Sequence, residues 1–316
     1  MILSWRYLNT IFQCALPDMN ILFRVDSSVE IGLGHLMRCL VLAKQYEKEH
    51  TIFFAVQNLT GNANQRIIDL GYQLILLRNN SIDELAACFD RLKIDMVVFD
   101  HYGIDDRFEK TVKDRTGVTI LSLDDTYQRH YCDILLNHNI YAQAGHYQGL
   151  VPDFCELRCG GDYTLIRDEF KSIKIKDRPI DKNNPRFFVS LGGVDTANIN
   201  LTALNTLSDF GQVSVNLAIT SANQHRDELI AFANQHPLVN ICVDCNIAEL
   251  MNDSDFAIIT PSVITYEAMY LNIPFIAIQT ADNQRYVADY LAGNDFLVTD
   301  VSKIDELDVL IRALLK

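Results

Sequence analysis

Two glycines, Gly32 and Gly34, stand just before a histidine, His35, and an apolar run through Leu40, Val41, Leu42 and Ala43 follows. Imidazole has an ordinary pKa of ~6.5, which suits it to accept a proton near neutrality. Glycine is required where φ is positive or where a ligand must approach the backbone, so the pair ahead of His35 marks a working loop. The chemistry this suggests is activation of a small nucleophile by a general base, with a polar ligand lying on the N–H groups of a helix start. An ordinary βα turn whose histidine merely caps the helix fits the same spacing and stays open. Asp26, at the end of the apolar stretch before the loop, either orients the ring or braces the turn.

Other groups lie at similar strand ends. Asp100-His101-Tyr102-Gly103 closes the most apolar strand pattern, so Tyr102 or His101 faces a ligand or caps the next helix. Asp124-Asp125 is a close carboxylate pair, better read as a solvated turn than as a divalent-metal site. Gly192-Gly193 follows a strand and precedes a helix, with Asp195 and Thr196 near its start, and is either a diphosphate cradle or a plain turn. Glu267, on the first turns of a helix beginning near Ser262, either holds ribose hydroxyls or sits favourably against the helix dipole. The Cys155/Cys159 and Cys242/Cys245 pairs lack the glycine knuckles of a zinc site.

The elements that position these groups alternate. Strand patterns at 21–25, 51–56, 72–77, 95–100, 118–123 and 133–136 are interleaved with helical ones at 35–43, 64–70, 82–92 and 105–116. Such alternation predicts a parallel sheet covered on both faces. The rhythm is lost over 137–185 and restarts with strands at 186–190, 213–219, 239–243, 255–260, 274–279 and 296–298, and helices at 198–207 and 303–315. The expected organisation is α/β: two doubly wound, Rossmann-like domains at 20–165 and 186–316 joined by a linker at 166–185, with the ligand in a central cleft over the strand carboxyl ends. Residues 1–19 read as a dispensable N-terminal appendage.

With 316 residues the chain is long enough for two cores, and 41 acidic against 27 basic residues give a net charge of −14. No basic cluster interrupts that charge, so nucleic acid and anionic membrane are not expected partners. The eight cysteines, several inside apolar runs, read as reduced thiols of a cytoplasmic protein. Oligomeric state is left open.

Six ordered blocks carry a resemblance: Phe23 to Ser28 with Gly32 to Arg38, Asp100 to Gly103, Leu123 to Asp125, Cys132 to Asn137, Leu165 to Phe170, and Ser190 to Gly193. Together they resemble the UDP-sugar hydrolases of pseudaminic acid biosynthesis. The resemblance runs from about Asn20 almost to the C-terminus. It implies the two-domain GT-B architecture, shared with the glycosyltransferase of the lipid-linked peptidoglycan precursor. It also implies metal-independent removal of UDP from UDP-2,4-diacetamido-2,4,6-trideoxy-β-L-altrose, by water attack at the anomeric carbon with inversion.

By the same resemblance His35 is the general base, Tyr102 lines the sugar site, and Arg167 and Glu267 contact substrate and nucleotide. The predicted binding set is completed by Asp26, Gly34, Gly192, Gly193, Ser262 and Asn283, with no metal and no cofactor. One departure is Thr260-Pro261-Ser262, where relatives of the wider fold carry a Gly-Gly-Ser/Thr turn; proline removes an N–H there. The alternatives are a glycosyltransferase using the same donor, and a nucleotide-sugar binding protein without turnover.

Overall fold

Unbroken runs of Ile, Val, Leu and Phe need cover on both faces of a strand, and a parallel sheet between helix layers supplies it. The computed structural model describes residues 18–316 apart from 177, 178, 182, 193, 194 and 196. The chain divides into two compact units, one ending at Leu165 and the other beginning at Ile166.

The first unit holds strands β1 (Asn20–Val25), β2 (Thr51–Gln57), β3 (Gln73–Leu77), β4 (Met96–Asp100), β5 (Thr119–Leu123), β6 (Ile134–Asn137) and β7 (Glu156–Cys159). They form one parallel sheet in the order β3-β2-β1-β4-β5-β6-β7. Helices α1 (Gly34–Tyr46), α2 (Gln65–Asp69), α3 (Ile82–Leu92) and α4 (Asp106–Thr116) connect its strands. The period-two rule is visible in β1: Ile21, Phe23 and Val25 pack with Leu36 and Leu40 of α1, while Leu22 joins Phe53, Val97 and Phe99 in a second core across the sheet. Phe23 stacks on Phe54 with centroids 5.0 Å apart, and truncating it to alanine is expected to cost about 3–5 kcal/mol.

Side chains cap the helices on the far side of β4. Ser81 accepts from Glu84 N at the start of α3, and Asp105 accepts from Phe108 N at 2.8 Å at the start of α4. Residues 138–155, whose regular structure is a short 3-10 turn at Ala144–Tyr147, are ordered by buried hydrogen bonds instead. Tyr147 is fully buried, its hydroxyl takes a bond from Asn137 Nδ2 at 2.9 Å, and Thr164 Oγ1 donates to the His138 carbonyl at 3.1 Å. The chain is already tied down at Met19, whose carbonyl accepts from Thr51 N at 2.9 Å; residues 1–17 lie outside the described residues.

The second unit begins with α5 (Asp168–Ser172) and contains β8 (Arg186–Ser190), β9 (Ser214–Ile219), β10 (Val239–Val243), β11 (Phe256–Ile259), β12 (Phe275–Gln279) and β13 (Leu297–Asp300). These are parallel, in the order β10-β9-β8-β11-β12-β13. Its other helices are α6 (Ile199–Ser208), α7 (Arg226–Gln235), α8 (Ile247–Asn252), α9 (Val263–Tyr270), α10 (Arg285–Gly293) and α11 (Leu307–Leu314). The stretch read as a linker carries α5 and the buried Phe170, and Lys174 O and Lys176 N are hydrogen-bonded to the Asn252 side chain. Among the described residues no helix is long and apolar enough to cross a membrane.

Both sheets reverse their winding at the centre, between β1 and β4 in one and β8 and β11 in the other. The carboxyl ends of such neighbouring strands leave a crevice where α/β proteins bind ligands.

Candidate active site

At the switch point of the first sheet, Val25 lies beside Asp100 in register, and α1 starts eight residues beyond Asp26. The loop between them is a tight reverse turn. Gly32 N donates to Ser28 O at 2.8 Å, Ser28 Oγ accepts from Glu30 and Ile31 N, and Gly32 takes φ +80°, which is why glycine stands there. Gly34 has no such φ; a Cβ on it would meet nothing, so the opening residue of α1 borders open space. The N-cap residue, Leu33, contributes no side-chain bond, so the N-terminal dipole is not answered by a capping side chain.

His35, on the first turn of α1, is buried, and its Nδ1 lies 2.6 Å from Asp100 Oδ1. Arg38, one turn on, grips the same carboxylate with Nε on Oδ2 and Nη2 on Oδ1, both at 2.6 Å. Burial pulls the Asp100 carboxyl upward, but Arg38 and then His35 outweigh it and hold it well below the usual carboxylate range. Burial opposes the charge on Arg38 as well, and Asp100 and Asp125 overcome that to hold its pKa well above the ordinary arginine value. An ionised carboxylate only accepts, so the proton between it and His35 belongs to Nδ1 and the lone pair to Nε2. The 3.0 Å approach of Arg38 Nη2 to Nδ1 is then two donors converging on one oxygen. Asp100 therefore fixes the tautomer a general base requires.

The same guanidinium reaches a second carboxylate. Arg38 Nη1 donates to Asp125 Oδ2 at 2.8 Å, and the Tyr102 hydroxyl donates to Asp125 at 3.0 and 3.1 Å from its two oxygens. The Tyr102 ring meets the His35 ring edge-on, centroids 4.7 Å apart, with 59% of the tyrosine exposed. His35, expected as the base, and Tyr102, expected to line the sugar site, are brought together.

One open alternative is decided and one expectation is corrected. Asp26 does not orient His35; its Oδ2 takes Arg24 at 2.7 Å and His101 Nε2 at 3.1 Å, and its Oδ1 takes Gln57 N at 2.7 Å. It braces the turn, and bonds from His101 and Arg24 lower its pKa against the opposing effect of burial. His101 accepts Gly103 N on Nδ1 at 2.9 Å and donates from Nε2 to Asp26, so it is structural. The Asp124-Asp125 pair is likewise not solvated. Asp124 is buried and accepts from Tyr147 at 2.6 Å, Thr126 N and Gln128 N, while Asp125 serves Arg38 and Tyr102.

In the second unit Arg167 and Glu267 pair bidentately, at 2.6 and 2.7 Å, and Arg167 also reaches Glu169 at 3.0 Å. Glu267 is fully buried, which raises its pKa despite Arg167; the forked geometry is that of an ionised pair. Ser262 caps α9 in a capping box with Thr265. Gly192 is exposed at φ +96° with open space where a Cβ would stand, and Asn283 is exposed in a short turn; Gly193 lies outside the described residues. The N-terminus of α6 is not open to a diphosphate: Asp195 already occupies it, accepting from Ile199 N at 2.8 Å and Asn200 N at 2.9 Å.

What sequence reasoning missed is that Arg38, Asp100 and Asp125 are the groups bonded around His35 and Tyr102. The signal was a carboxylate ending an otherwise apolar strand, and an arginine one helical turn beyond the histidine.

No family model matches the chain. Over 281 residues it is 41% identical to the UDP-2,4-diacetamido-2,4,6-trideoxy-β-L-altropyranose hydrolase of Campylobacter jejuni, covering 89% of this chain and 98% of that protein. The chain belongs to that hydrolase family. Solved structures similar to this family member bear on its fold alone. They include MurG of Acinetobacter baumannii, with TM-score 0.61 and 14% identity over 95% of this chain and 91% of that one. Another is HepE of Anabaena, solved with UDP and glucose, with TM-score 0.60 and 14% identity over 94% and 90% of the two chains. The hydrolase family member thus has the GT-B architecture of two Rossmann-like domains.

Proposed function

We propose that the protein hydrolyses UDP-2,4-diacetamido-2,4,6-trideoxy-β-L-altrose to UDP and the free sugar, as a cytoplasmic step of pseudaminic acid biosynthesis. The family supplies the substrate, and the observation that supports the mechanism is the His35–Asp100 pair at the start of α1. With Nδ1–H committed to Asp100, Nε2 takes a proton from water as the water oxygen bonds to the anomeric carbon. The bond from that carbon to the diphosphate oxygen breaks with its electron pair leaving on UDP, and the anomeric configuration inverts. UDP is a good leaving group and needs no acid, only donors for its charge. This route needs no metal.

Tyr102, exposed and held beside His35, lines the sugar. The second unit carries the nucleotide, with Arg167 and Glu267 as its framework and Gly192, Gly193, Ser262 and Asn283 as the residues proposed to contact UDP. The N-terminal dipole of α9 is a more favourable seat for diphosphate than the carboxylate-filled start of α6.

The test is His35→Asn. UDP release from the sugar nucleotide alone, without any acceptor, is expected to fall about a hundredfold or more while calorimetric UDP binding persists. Near-normal turnover would remove His35 from the role, and UDP release that requires an added acceptor would make the protein a transferase.

A further inference from the structure

The geometry points to Asp125 as a positioning residue that holds Tyr102 against His35, an inference that rests on the hydrolase reading. Tyr102 is mostly exposed, yet its hydroxyl sits on both oxygens of Asp125 and its ring is edge-on to His35 at 4.7 Å. Asp125 is in turn gripped by Arg38 at 2.8 Å, and Arg38 also holds Asp100 behind His35. One guanidinium thus ties together the carboxylate that aims the base and the carboxylate that aims the tyrosine.

The turn carrying Asp125 is pinned on its far side. The Tyr141 hydroxyl donates to the Asp125 carbonyl, and Asp124 is clamped by Tyr147, Thr126 N and Gln128 N. The Asp125 carboxylate is therefore a fixed post rather than a mobile surface charge. It works through Tyr102 and is not a catalytic residue itself.

Asp125→Ala, Tyr102→Phe and the double variant are compared in steady-state UDP release. Each single change is expected to lower kcat/KM about tenfold, and the double variant to fall within about threefold of the poorer single, because both remove the same anchor. Losses that multiply would overturn the proposal. Asp125→Asn keeps two hydrogen-bonding atoms in place, folds with less risk, and is expected to recover most of the activity lost in Asp125→Ala.

A second readout needs no substrate. The His35 ring resonance, assigned by its absence in His35→Asn, shifts alike in Asp125→Ala and Tyr102→Phe when the tyrosine ring is released. A resonance unmoved by Asp125→Ala would sink the proposal even if catalysis were lost. If the wild-type protein released no UDP while the resonance moved as described, the hydrolase reading would fail and the positioning role would stand.

Discussion

Replacing Asp100 by asparagine removes a charge and preserves an outline. The carboxylate accepts three bonds of 2.6 Å, one from His35 and two from Arg38. Bonds to charged groups contribute about 1.5–3 kcal/mol each, but three sharing one carboxylate do not add. A better bound is the cost of breaking a buried ion pair by removing one partner, about 3–5 kcal/mol. Asparagine offers one acceptor, so its Nδ2 must face a donor of Arg38 or of His35, and His35 loses its enforced tautomer. If that whole loss falls on the fraction of molecules with Nε2 free and aimed, kcat drops by about two to four powers of ten.

The assay is continuous UDP release by Asp100→Asn, His35→Asn and the double variant, with thermal melts alongside. In the proposed mechanism Asp100 acts through His35, so the double variant is expected to be no slower than His35→Asn. The acid limb of stability changes too. The folded pKa of Asp100 is depressed, so its contribution is present above the unfolded value of ~3.9 and is lost as pH falls through the folded one. The asparagine variant should lose less stability than the wild type on acidification. A kcat within about threefold of wild type would refute the dyad, since even the smallest of these estimates exceeds that.

Three other outcomes are expected. His130 bonds to Glu109 at 2.8 Å and lies 3.8 Å from Asp124; burial pulls it down, but Asp124 and Glu109 push its pKa up to about 10. Its stabilisation is complete below the unfolded value of ~6.5 and is lost as pH rises through the folded one, so the melting difference between wild type and His130→Gln should shrink across that window. Glu267→Gln leaves Arg167 with Glu169 alone, and is expected to cost toward the lower end of about 3–5 kcal/mol in urea unfolding because Arg167 keeps some access to water. His101→Ala takes from the buried Asp26 one of its three donors and leaves the exposed Gly103 N to water. It should cost about 1–3 kcal/mol of stability while reducing kcat far less than His35→Asn does, and equal kcat losses would show that His101 is more than structural.

Much of the first sheet was legible because β1, β2 and β4 are buried on both faces and read as continuous apolar runs. Strand β7 was not: Glu156-Leu-Arg-Cys159 lies at the sheet edge, where polar side chains face water. Helices α7, α8 and α10 also escaped notice. The glycine loop and His35 could be found locally, since the turn and the helix start lie within one short stretch.

The orienting carboxylate could not be found that way. Asp26 is adjacent in sequence, but the partner is Asp100, which only the Val25–Asp100 register of β1 and β4 brings beside the loop. The clamp on Asp124 and Asp125 comes from Tyr141 and Tyr147, in a segment with no periodicity to read. For the same reason the expected solvated aspartate turn proved to be a buried junction.

The most direct measurement of the central claim runs the wild-type reaction in water enriched in heavy oxygen, following both products by NMR and mass spectrometry. The mechanism places the label on the anomeric hydroxyl of a freshly released, inverted sugar and leaves UDP unlabelled. Label on the terminal phosphate of UDP, or a sugar released with its configuration retained, would contradict water attack at carbon from the base that Asp100 orients.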